Sequence, residues 1–186
     1  VIRSDGLEIA PTHSSESAFI RTVLNGQDIS GGKLELVGNT GQRVVDSGSG
    51  VIEHYESRQE GVAITWIRPS KPNCTEGFVI DVDVSGMSHV GESHHGHHYA
   101  DSTGVAKLRF GNVTVVDATG RAWAVATSLV EHLGRLRIEV PQSVLAAARY
   151  PLAVDPVIGP EFGIDRPAFR IAQATEPAVA SNGENF

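Results

Sequence analysis

Hydrophobic and polar residues alternate along most of this chain, and one stretch shows the pattern most clearly. In "GFVIDVDVSG", residues 77 to 86, one set of alternate positions is apolar: Phe78, Ile80, Val82 and Val84. The intervening positions are mostly polar: Val79, Asp81, Asp83 and Ser85. A period of two residues places the two sets on opposite faces of a β-strand. The stretch therefore predicts a strand with one face in the core and the other mostly exposed to water.

Short β-prone runs of this kind recur from Ala18 onward, separated by clusters of turn residues. The first of them are "AFIRTVLN", "GKLELVG", "QRVVDSG", "GVIEHYES" and "GVAITWIRP". Later runs are "GVAKLRFG", "NVTVVDATGRAWAVATSLVE" and "GRLRIEVP". Closely spaced strands without intervening helices are typical of a sandwich or barrel. We therefore predict an all-β fold, an antiparallel β-sandwich-like domain.

Local signals refine this pattern at a few positions. "DATG" and "EHLG" predict tight turns, with Gly120 and Gly134 placed to adopt a positive φ. "QSVLAAARY" is the one stretch with helical character, because it holds three alanines and a leucine. Ser143 is a candidate cap for its first turn. We predict one short helix near residues 143–149.

Composition shifts divide the chain into three parts. Residues 1–16 mix Ser, Asp, His, Pro and Glu with little periodicity, and we interpret them as an extended lead-in with room for one edge strand. Residues 17–158 hold the strand series and form the predicted β-sandwich-like domain. Its final short strand is "YPLAVDP", closed by Pro156, which cannot donate to a β-ladder. Residues 159–186 are rich in Pro, Ala and Glu, which indicates a linker and the start of a following repeat.

The length and the net charge of the chain limit the kinds of protein and of partner that we expect. A chain of 186 residues, 40% of them hydrophobic, is long enough for one ordinary domain with its own core. The net charge is −7 and no run of Lys or Arg could follow a phosphate backbone, so nucleic acid is excluded as an expected partner. No apolar stretch approaches the roughly 18 residues that span a bilayer. The chain starts at Val1 without a signal segment, and we interpret it as a piece of a longer protein.

Four segments of the chain carry a likeness to a known family. They are "EHYESRQEGVAITWIRPSKP", "GFVIDVDVSG", "LRFGNVTVVDATGRAWAV" and "GRLRIEVPQSVLAAARYPLAVDPVI". On these residues, the stretch from about Val51 to Ile158 resembles a module of large secreted or surface proteins of Gram-negative bacteria, especially of the myxobacterial type. In those proteins the module precedes arrays of FG-GAP-like or SBBP-like repeats. "PAVASNGENF" is similar to the opening of such a repeat.

The resemblance implies an extracellular β-sandwich-like module of a modular adhesin, scaffold or exoenzyme. It covers a little over half of the chain and rests on turn and strand motifs, so it supplies no catalytic residues. The chain departs from the family at one place. Where the relatives have a short polar hairpin after "VSG", this sequence inserts "MSHVGESHHGHHYADST".

The inserted segment is rich in histidine. "ESHHGHHYADSTG", residues 92 to 104, places four imidazoles around Gly96: His94, His95, His97 and His98. Neutral imidazole is a common ligand of Zn²⁺, Cu²⁺ and Ni²⁺, and the glycine lets the backbone bend two pairs of rings toward one point. His89 and Glu92 could extend the ligand set. The segment is thus a candidate metal site, although its spacing fits neither a zinc finger nor H-E-x-x-H.

Two other interpretations of the histidines remain open. An exposed, mobile polar loop would bind transition metals on a column without any metal-dependent role. Alternatively, imidazoles held close together would charge unfavourably near pH 6, and the loop would rearrange in acid.

A calcium site is a second candidate. Counted from Asp81, "DVDVSGMSHVGE" places Asp81, Asp83 and Ser85 at positions 1, 3 and 5 and Glu92 at position 12, which is close to an EF-hand loop. No amphipathic helix flanks the segment, however, and the alternation predicts a strand. Asp81 and Asp83 are therefore expected to be carboxylates on the wet face.

Signals for hydrolytic and carbohydrate-binding chemistry are weak. The glycine–serine stretch at 46–50 lies between two β-runs without a following helix, so it indicates a turn and not a nucleophile elbow. Cys74 is the single cysteine, lies in a turn, and has no histidine close to it in sequence. Trp66 and Trp123 both lie in alternating runs, which predicts core positions. If both were exposed, they would indicate a platform for a sugar.

These observations favour a non-catalytic structural, adhesion or assembly module of a larger secreted or cell-surface bacterial protein. The expected partners are other protein modules or further copies of the chain, with no required cofactor. One alternative is a metal-binding module or metalloenzyme centred on His94 to His98 and using Zn²⁺, Cu²⁺ or Ni²⁺. A second alternative is a carbohydrate-binding module.

Overall fold

The fold consists almost entirely of β-strands. A computed structural model describes residues 1–11, 14–29, 33–44, 50–59, 61–72 and 77–160, with the backbone alone at residue 44. In chain order the strands are β1 (Ile2–Arg3), β2 (Gly6–Ile9), β3 (Ala18–Leu24), β4 (Gln27–Asp28), β5 (Leu34–Val37), β6 (Thr40–Val44), β7 (Ile52–Arg58), β8 (Gly61–Arg68), β9 (Phe78–Ser85), β10 (Ser88–Ser93), β11 (Gly96–Ala100), β12 (Ala106–Phe110), β13 (Val113–Asp117), β14 (Ala122–Val125), β15 (Thr127–Val130), β16 (Arg135–Val140), β17 (Leu152–Asp155) and β18 (Val157–Pro160). No helix among these residues is long and apolar enough to cross a membrane.

The strands form two antiparallel sheets. The smaller sheet has the order β1-β2-β3-β9-β16-β15, with β4 paired to β3. The larger sheet has the order β10-β11-β12-β18-β8-β17-β13-β14, and β8 also pairs with β7, which continues through β6 to β5. The predicted all-β, sandwich-like fold is thereby confirmed.

The core lies where buried side chains of the two sheets pack together. Phe78, Ile80 and Val82 are completely buried, as the alternation in β9 predicts. Other members from the smaller sheet are Ile20, Leu24, Leu136 and Ile138. Members from the larger sheet are Ile64, Trp66, Tyr99, Leu108, Phe110 and Val115. Burial of these apolar faces is the main term that stabilises the sandwich.

Two pairs of strands in the larger sheet lie end to end. β17 and β18 run along the same edge of β8, interrupted only at Pro156, whose carbonyl still accepts a hydrogen bond from the Ile64 amide at 3.3 Å. β12 and β13 lie in the same way along their other edge. We predict that Pro156 closes the last strand because it has no amide donor, but the chain stays in the sheet beyond this residue. It forms one more strand, which runs to Pro160.

The structure places more strands at the N-terminal end of the chain than we predict. The predicted lead-in contributes β1 and β2, and Leu7 of β2 is 1% exposed.

The predicted helix is present as α1 (Gln142–Ala147), and it buries Val144 and Leu145. Its N-cap is Pro141, with no side-chain cap, so Ser143 lies within the helix. The chain also forms a 3-10 helix (Glu131–Leu133) ending at Gly134, whose φ is 63°.

A matched pair of turns closes two neighbouring hairpins. The predicted turn after β13 is built on Asp117, whose Oδ1 accepts hydrogen bonds from the Thr119 amide at 2.8 Å and the Thr119 hydroxyl at 2.6 Å. Together with bonds from the Arg149 and Arg121 amides at 3.0 and 3.1 Å, they lower the pKa of Asp117 to about 2. Asp101 and Thr103 make the same side-chain bonds in the turn between β11 and β12. Asp-x-Thr-Gly is therefore a repeated turn that fixes both hairpins.

Two of the points at which the chain passes from one sheet to the other determine where the histidine segment lies. The chain passes from β9 in the smaller sheet to β10 in the larger one through Gly86, and it returns between β14 and β15 at Ala126. Gly86 has a φ of 82°, and a Cβ there would lie 2.3 Å from the Ser17 carbonyl oxygen. This crossing therefore requires glycine. The histidine segment follows it directly, at one edge of the larger sheet.

Candidate functional site: the histidine hairpin

The histidine-rich segment forms a β-hairpin where we predict a loop. β10 and β11 pair with Ser93 opposite Gly96 and Glu92 opposite His97, which leaves His94 and His95 in the turn. Gly96 has a φ of 119°, and a Cβ there would lie 2.1 Å from the Phe110 carbonyl oxygen of β12. Only glycine fits at this position because β12 approaches so closely. The segment is thus a regular part of the sheet and not a loop.

The strand geometry separates the four clustered histidines. His97 and His98 are consecutive residues of β11, so their side chains point to opposite faces of the sheet. They are 1% and 2% exposed, respectively. His94 and His95 are exposed in the turn, with ring centroids 3.7 Å apart. The structure therefore does not bring the four predicted ligands to one point.

His98 and His94 are each engaged in local bonds. The Nε2 atom of His98 lies 2.7 Å from the hydroxyl of Ser93, on the preceding strand. The side-chain amide of Asn112 donates a hydrogen bond to the backbone carbonyl of His94 at 2.9 Å. These contacts stabilise the end of the hairpin.

A different pair of histidines does come together. Nε2 of His89 lies 3.2 Å from Nδ1 of His97, and the two ring centroids are 5.3 Å apart. Nε2 of His97 lies 2.7 Å from the Thr127 hydroxyl, at the start of β15 in the smaller sheet. Tyr99 packs its ring edge-on against His89 at 5.4 Å. His97 thus connects the hairpin to the smaller sheet.

The surroundings of the two rings disfavour their charged form. Burial lowers the pKa of His89 and of His97, because a charged imidazole loses its hydration there. The carboxylate of Glu92 acts in the opposite direction on both rings. Glu92 lies directly across from His97, so the two residues share a face of the hairpin. Burial also raises the pKa of Tyr99.

The two aspartates of the calcium hypothesis lie elsewhere and bind arginines. Asp81 is on the outer face of the smaller sheet, as predicted, but it is 3% exposed because Arg137 covers it. Arg137 donates to both carboxylate oxygens of Asp81, at 2.7 and 2.8 Å. Asp83 lies 3.7 Å from Arg21 and 3.6 Å from Arg135. The expectation that Asp81 is wet is therefore wrong.

Across the described ranges, no group of three or more His, Cys, Asp or Glu side chains is already arranged to hold a metal ion.

A buried polar cluster between the sheets is absent from the sequence predictions. Glu53 of β7 binds Arg43 of β6 and Thr22 of β3. The indole nitrogen of Trp66 donates to Glu53 at 3.1 Å and to the Thr22 hydroxyl at 3.2 Å. Arg43 also reaches the carbonyl of Ser4. Arg43, Glu53 and Trp66 are at most 1% exposed, so the cluster is sealed from solvent.

Charge attraction balances burial in this cluster. Burial opposes the charge on Arg43, but the attraction and hydrogen bond of Glu53 together with the attraction of Tyr55 and Asp5 outweigh it, and the pKa of Arg43 is raised. Burial also raises the pKa of the Tyr55 hydroxyl, which lies 3.4 Å from the Arg43 guanidinium. The only signal in the sequence is that Glu53 and Tyr55 alternate with Ile52 and His54 in β7.

The two tryptophans do not form a platform for a sugar. Trp66 is completely buried, as its alternating run predicts. Trp123 is half-buried, packs against the core, and has the Arg121 guanidinium 4.7 Å from its ring centroid. The arrangement on which the carbohydrate hypothesis depends is therefore not formed.

Two candidate positions lie outside the described residues: Cys74 and the glycine–serine stretch at 46–49. Most of the predicted linker, residues 161–186, lies outside them as well. No protein-family model, curated protein or solved structure matches the chain.

Proposed function

We propose that the chain is a non-catalytic structural module that serves assembly, adhesion or spacing in a larger secreted or cell-surface bacterial protein. One observation carries the proposal. The carboxylate of Glu53 and the guanidinium of Arg43 are closed between the sheets and bind residues of β3 and β8 and the Ser4 carbonyl. Such a cluster holds separate strands in one rigid arrangement, and no substrate reaches it.

An exposed strand supports a role in protein contact. Within the described part of the chain, β5 is a terminal strand of the larger sheet and pairs with β6 alone. Leu36 and Val37 of β5 are 60% and 75% exposed. A free strand edge with apolar side chains is a template for pairing with another chain. The module therefore combines a rigid body with an edge suited to a partner module or a second copy.

Variants of this edge test the proposed role. Leu36→Lys combined with Val37→Lys adds charge on β5 without removing any core residue. We expect the double variant to keep its melting temperature and to lose at least tenfold in self-association or in binding to neighbouring modules, measured by sedimentation over a range of concentrations. Leu133→Lys is the matched control, because Leu133 is 45% exposed but lies on the 3-10 helix.

A second variant tests whether the buried polar cluster around Glu53 has a structural or a chemical role. In Arg43→Met combined with Glu53→Leu, the buried charges are replaced by apolar groups of similar size. We expect this protein to keep the association of the wild type. An equal loss in the Leu133 control, or a loss of association when only the cluster is replaced, would contradict the proposal.

A further inference from the structure

The spacing of His89 and His97 matches that of two ligands of one metal ion. Two nitrogens bound to Zn²⁺ at about 2.0–2.1 Å lie about 3.4 Å apart at the tetrahedral angle and about 2.9 Å apart at a right angle. Nε2 of His89 and Nδ1 of His97 are 3.2 Å apart, between these values. We infer that His89 and His97, with Glu92 as a third ligand, form a binding site for a divalent transition metal, preferably Zn²⁺.

The orientation of His97 supports this site. Its Nε2 atom is 2.7 Å from the Thr127 hydroxyl, and when it donates its proton there, Nδ1 is left as an unprotonated ligand that faces His89. A hydrogen bond from the second ring nitrogen is how metal-binding histidines are usually held in place. The ring is 1% exposed in β11, which is paired on both edges, with β10 and β12. The ligand is therefore already fixed before a metal arrives.

Glu92 supplies the third ligand from the same face of the hairpin. It lies opposite His97 in the β10–β11 register and is exposed, so its side chain can turn without breaking core packing. Its negative charge already acts on both rings. Because three ligands are not yet arranged together in the described residues, the carboxylate joins the two imidazoles only when the metal binds. Water fills the remaining position, as in sites with three protein ligands.

Metal binding requires a change of tautomer at His89. When Nε2 of His97 donates to Thr127, the contact between Nε2 of His89 and Nδ1 of His97 needs the proton on Nε2 of His89. The metal takes the place of this proton, His89 carries its one proton on Nδ1 instead, and each neutral imidazole then donates one lone pair to the metal. Of the predicted cluster His94 to His98, the site uses only His97, and its other ligands are His89 and Glu92 from the preceding strand. It is also independent of the proposed contact edge at β5.

Titration of the untagged protein with ZnCl₂, after purification without a metal column, tests the inference. We expect one Zn²⁺ per chain by calorimetry and a fall in melting temperature when EDTA removes it. His89→Ala and Glu92→Gln should each weaken binding at least tenfold. Thr127→Val should weaken it by about 10–100-fold, since it removes the hydrogen bond that orients His97.

The exposed turn provides the matched control. His94→Ala combined with His95→Ala removes two imidazoles of similar sequence context, and we expect Zn²⁺ affinity to change less than twofold. Because His97 is deeply buried, the test uses the half-buried His89, and a far-ultraviolet spectrum confirms that each variant is folded. Tetrahedral Co²⁺ absorption that persists in the turn variant and disappears in His89→Ala would support the site. No stoichiometric binding, or binding lost only in the turn variant, would overturn it.

Discussion

Two arginine–carboxylate pairs of this protein have similar chemistry but different surroundings. Arg43 and Glu53 lie between the sheets, with both side chains 1% exposed. Arg137 and Asp81 lie on the outer face of the smaller sheet, where the arginine side chain is 37% exposed and the aspartate 4%. Each pair joins two adjacent strands. The inner pair must satisfy its charges entirely within the protein, whereas water still solvates one member of the outer pair.

This difference determines what each pair contributes to stability. Removing two charges from water has a large free-energy cost, which their attraction offsets only while both partners are present. Loss of one inner partner therefore leaves the other charge buried without compensation. At the outer face, solvent screens the attraction and hydrates whichever group remains. We expect the inner pair to be critical as a unit and the outer pair to act as an ordinary surface contact.

The largest expected effect is that of Glu53→Leu. The substitution leaves the Arg43 guanidinium buried opposite an apolar side chain, so we expect the free energy of unfolding to fall by about 3–5 kcal/mol. Urea denaturation followed by tryptophan fluorescence measures the change. A loss below about 1 kcal/mol would mean that water or another group compensates Arg43.

Replacement of both inner partners should recover much of that loss. In the double variant Arg43→Met and Glu53→Leu no charge remains in the cluster, and the Trp66 indole keeps its bond to the Thr22 hydroxyl. We expect its stability to lie within about 2 kcal/mol of the wild type. A double-mutant cycle with the two single variants gives the coupling energy. If the two losses were simply additive, the pair would not act as a unit.

The outer bidentate pair should have an intermediate effect. Asp81→Asn keeps the shape of the side chain but removes the charge that receives two hydrogen bonds from Arg137. We expect a loss of about 1–2 kcal/mol in the free energy of unfolding. Repeating the denaturation at high salt should reduce the difference between the two proteins. An effect as large as that of Glu53→Leu would remove the distinction between the pairs.

The smallest expected effect is at Asp83, whose arginine partners are more distant. Arg135 and Arg21 lie 3.6 and 3.7 Å from its carboxylate, and both are half-buried on the same face of the sheet. We expect Asp83→Asn to change the free energy of unfolding by less than about 0.5 kcal/mol. The same denaturation series measures it. A clear destabilisation would indicate that the three charges act as a network.

The strand pattern could be predicted where burial follows alternation. β9 is the best case, since Phe78, Ile80 and Val82 are buried as the sequence indicates. The Asp117 turn was also predictable, because Asp and Gly favour tight hairpin turns. The continuation of the larger sheet beyond Pro156 could not be predicted. The missing amide of Pro156 interrupts one bond, but the strand continues in the same register against β8.

The buried polar groups could not be predicted from alternation alone. In β7 the apolar Ile52 and the charged Glu53 compete for the inner face, and a charged residue is normally placed outside. Glu53 is inside because Arg43, Thr22 and Trp66 satisfy it, and these partners come from three other strands. The outer position of Asp81 was predictable, but its burial was not, since Arg137 is 56 residues away in sequence.

The histidine segment shows the same limit. Its composition indicates imidazole ligands, but the position of each ring depends on whether the backbone is a loop or a strand. Once the segment is a hairpin, neighbours in sequence such as His97 and His98 are separated, and distant residues such as His89 and His97 meet. The candidate site therefore required the register, which a single sequence does not specify here.

The end-to-end arrangement of strands has a mechanical consequence. β18 is bonded along both edges, to β8 and β12, whereas β1 has β2 as its single partner strand in the part of the chain that the structure describes. A pulling force applied between Ile2 and Pro160 would thus act on a weak anchor at one end and a strong anchor at the other. The first strand would peel away bond by bond, while the last could move only by shearing two ladders at once. Under tension the molecule should yield from its N-terminal side, with the large sheet as the part that bears the load.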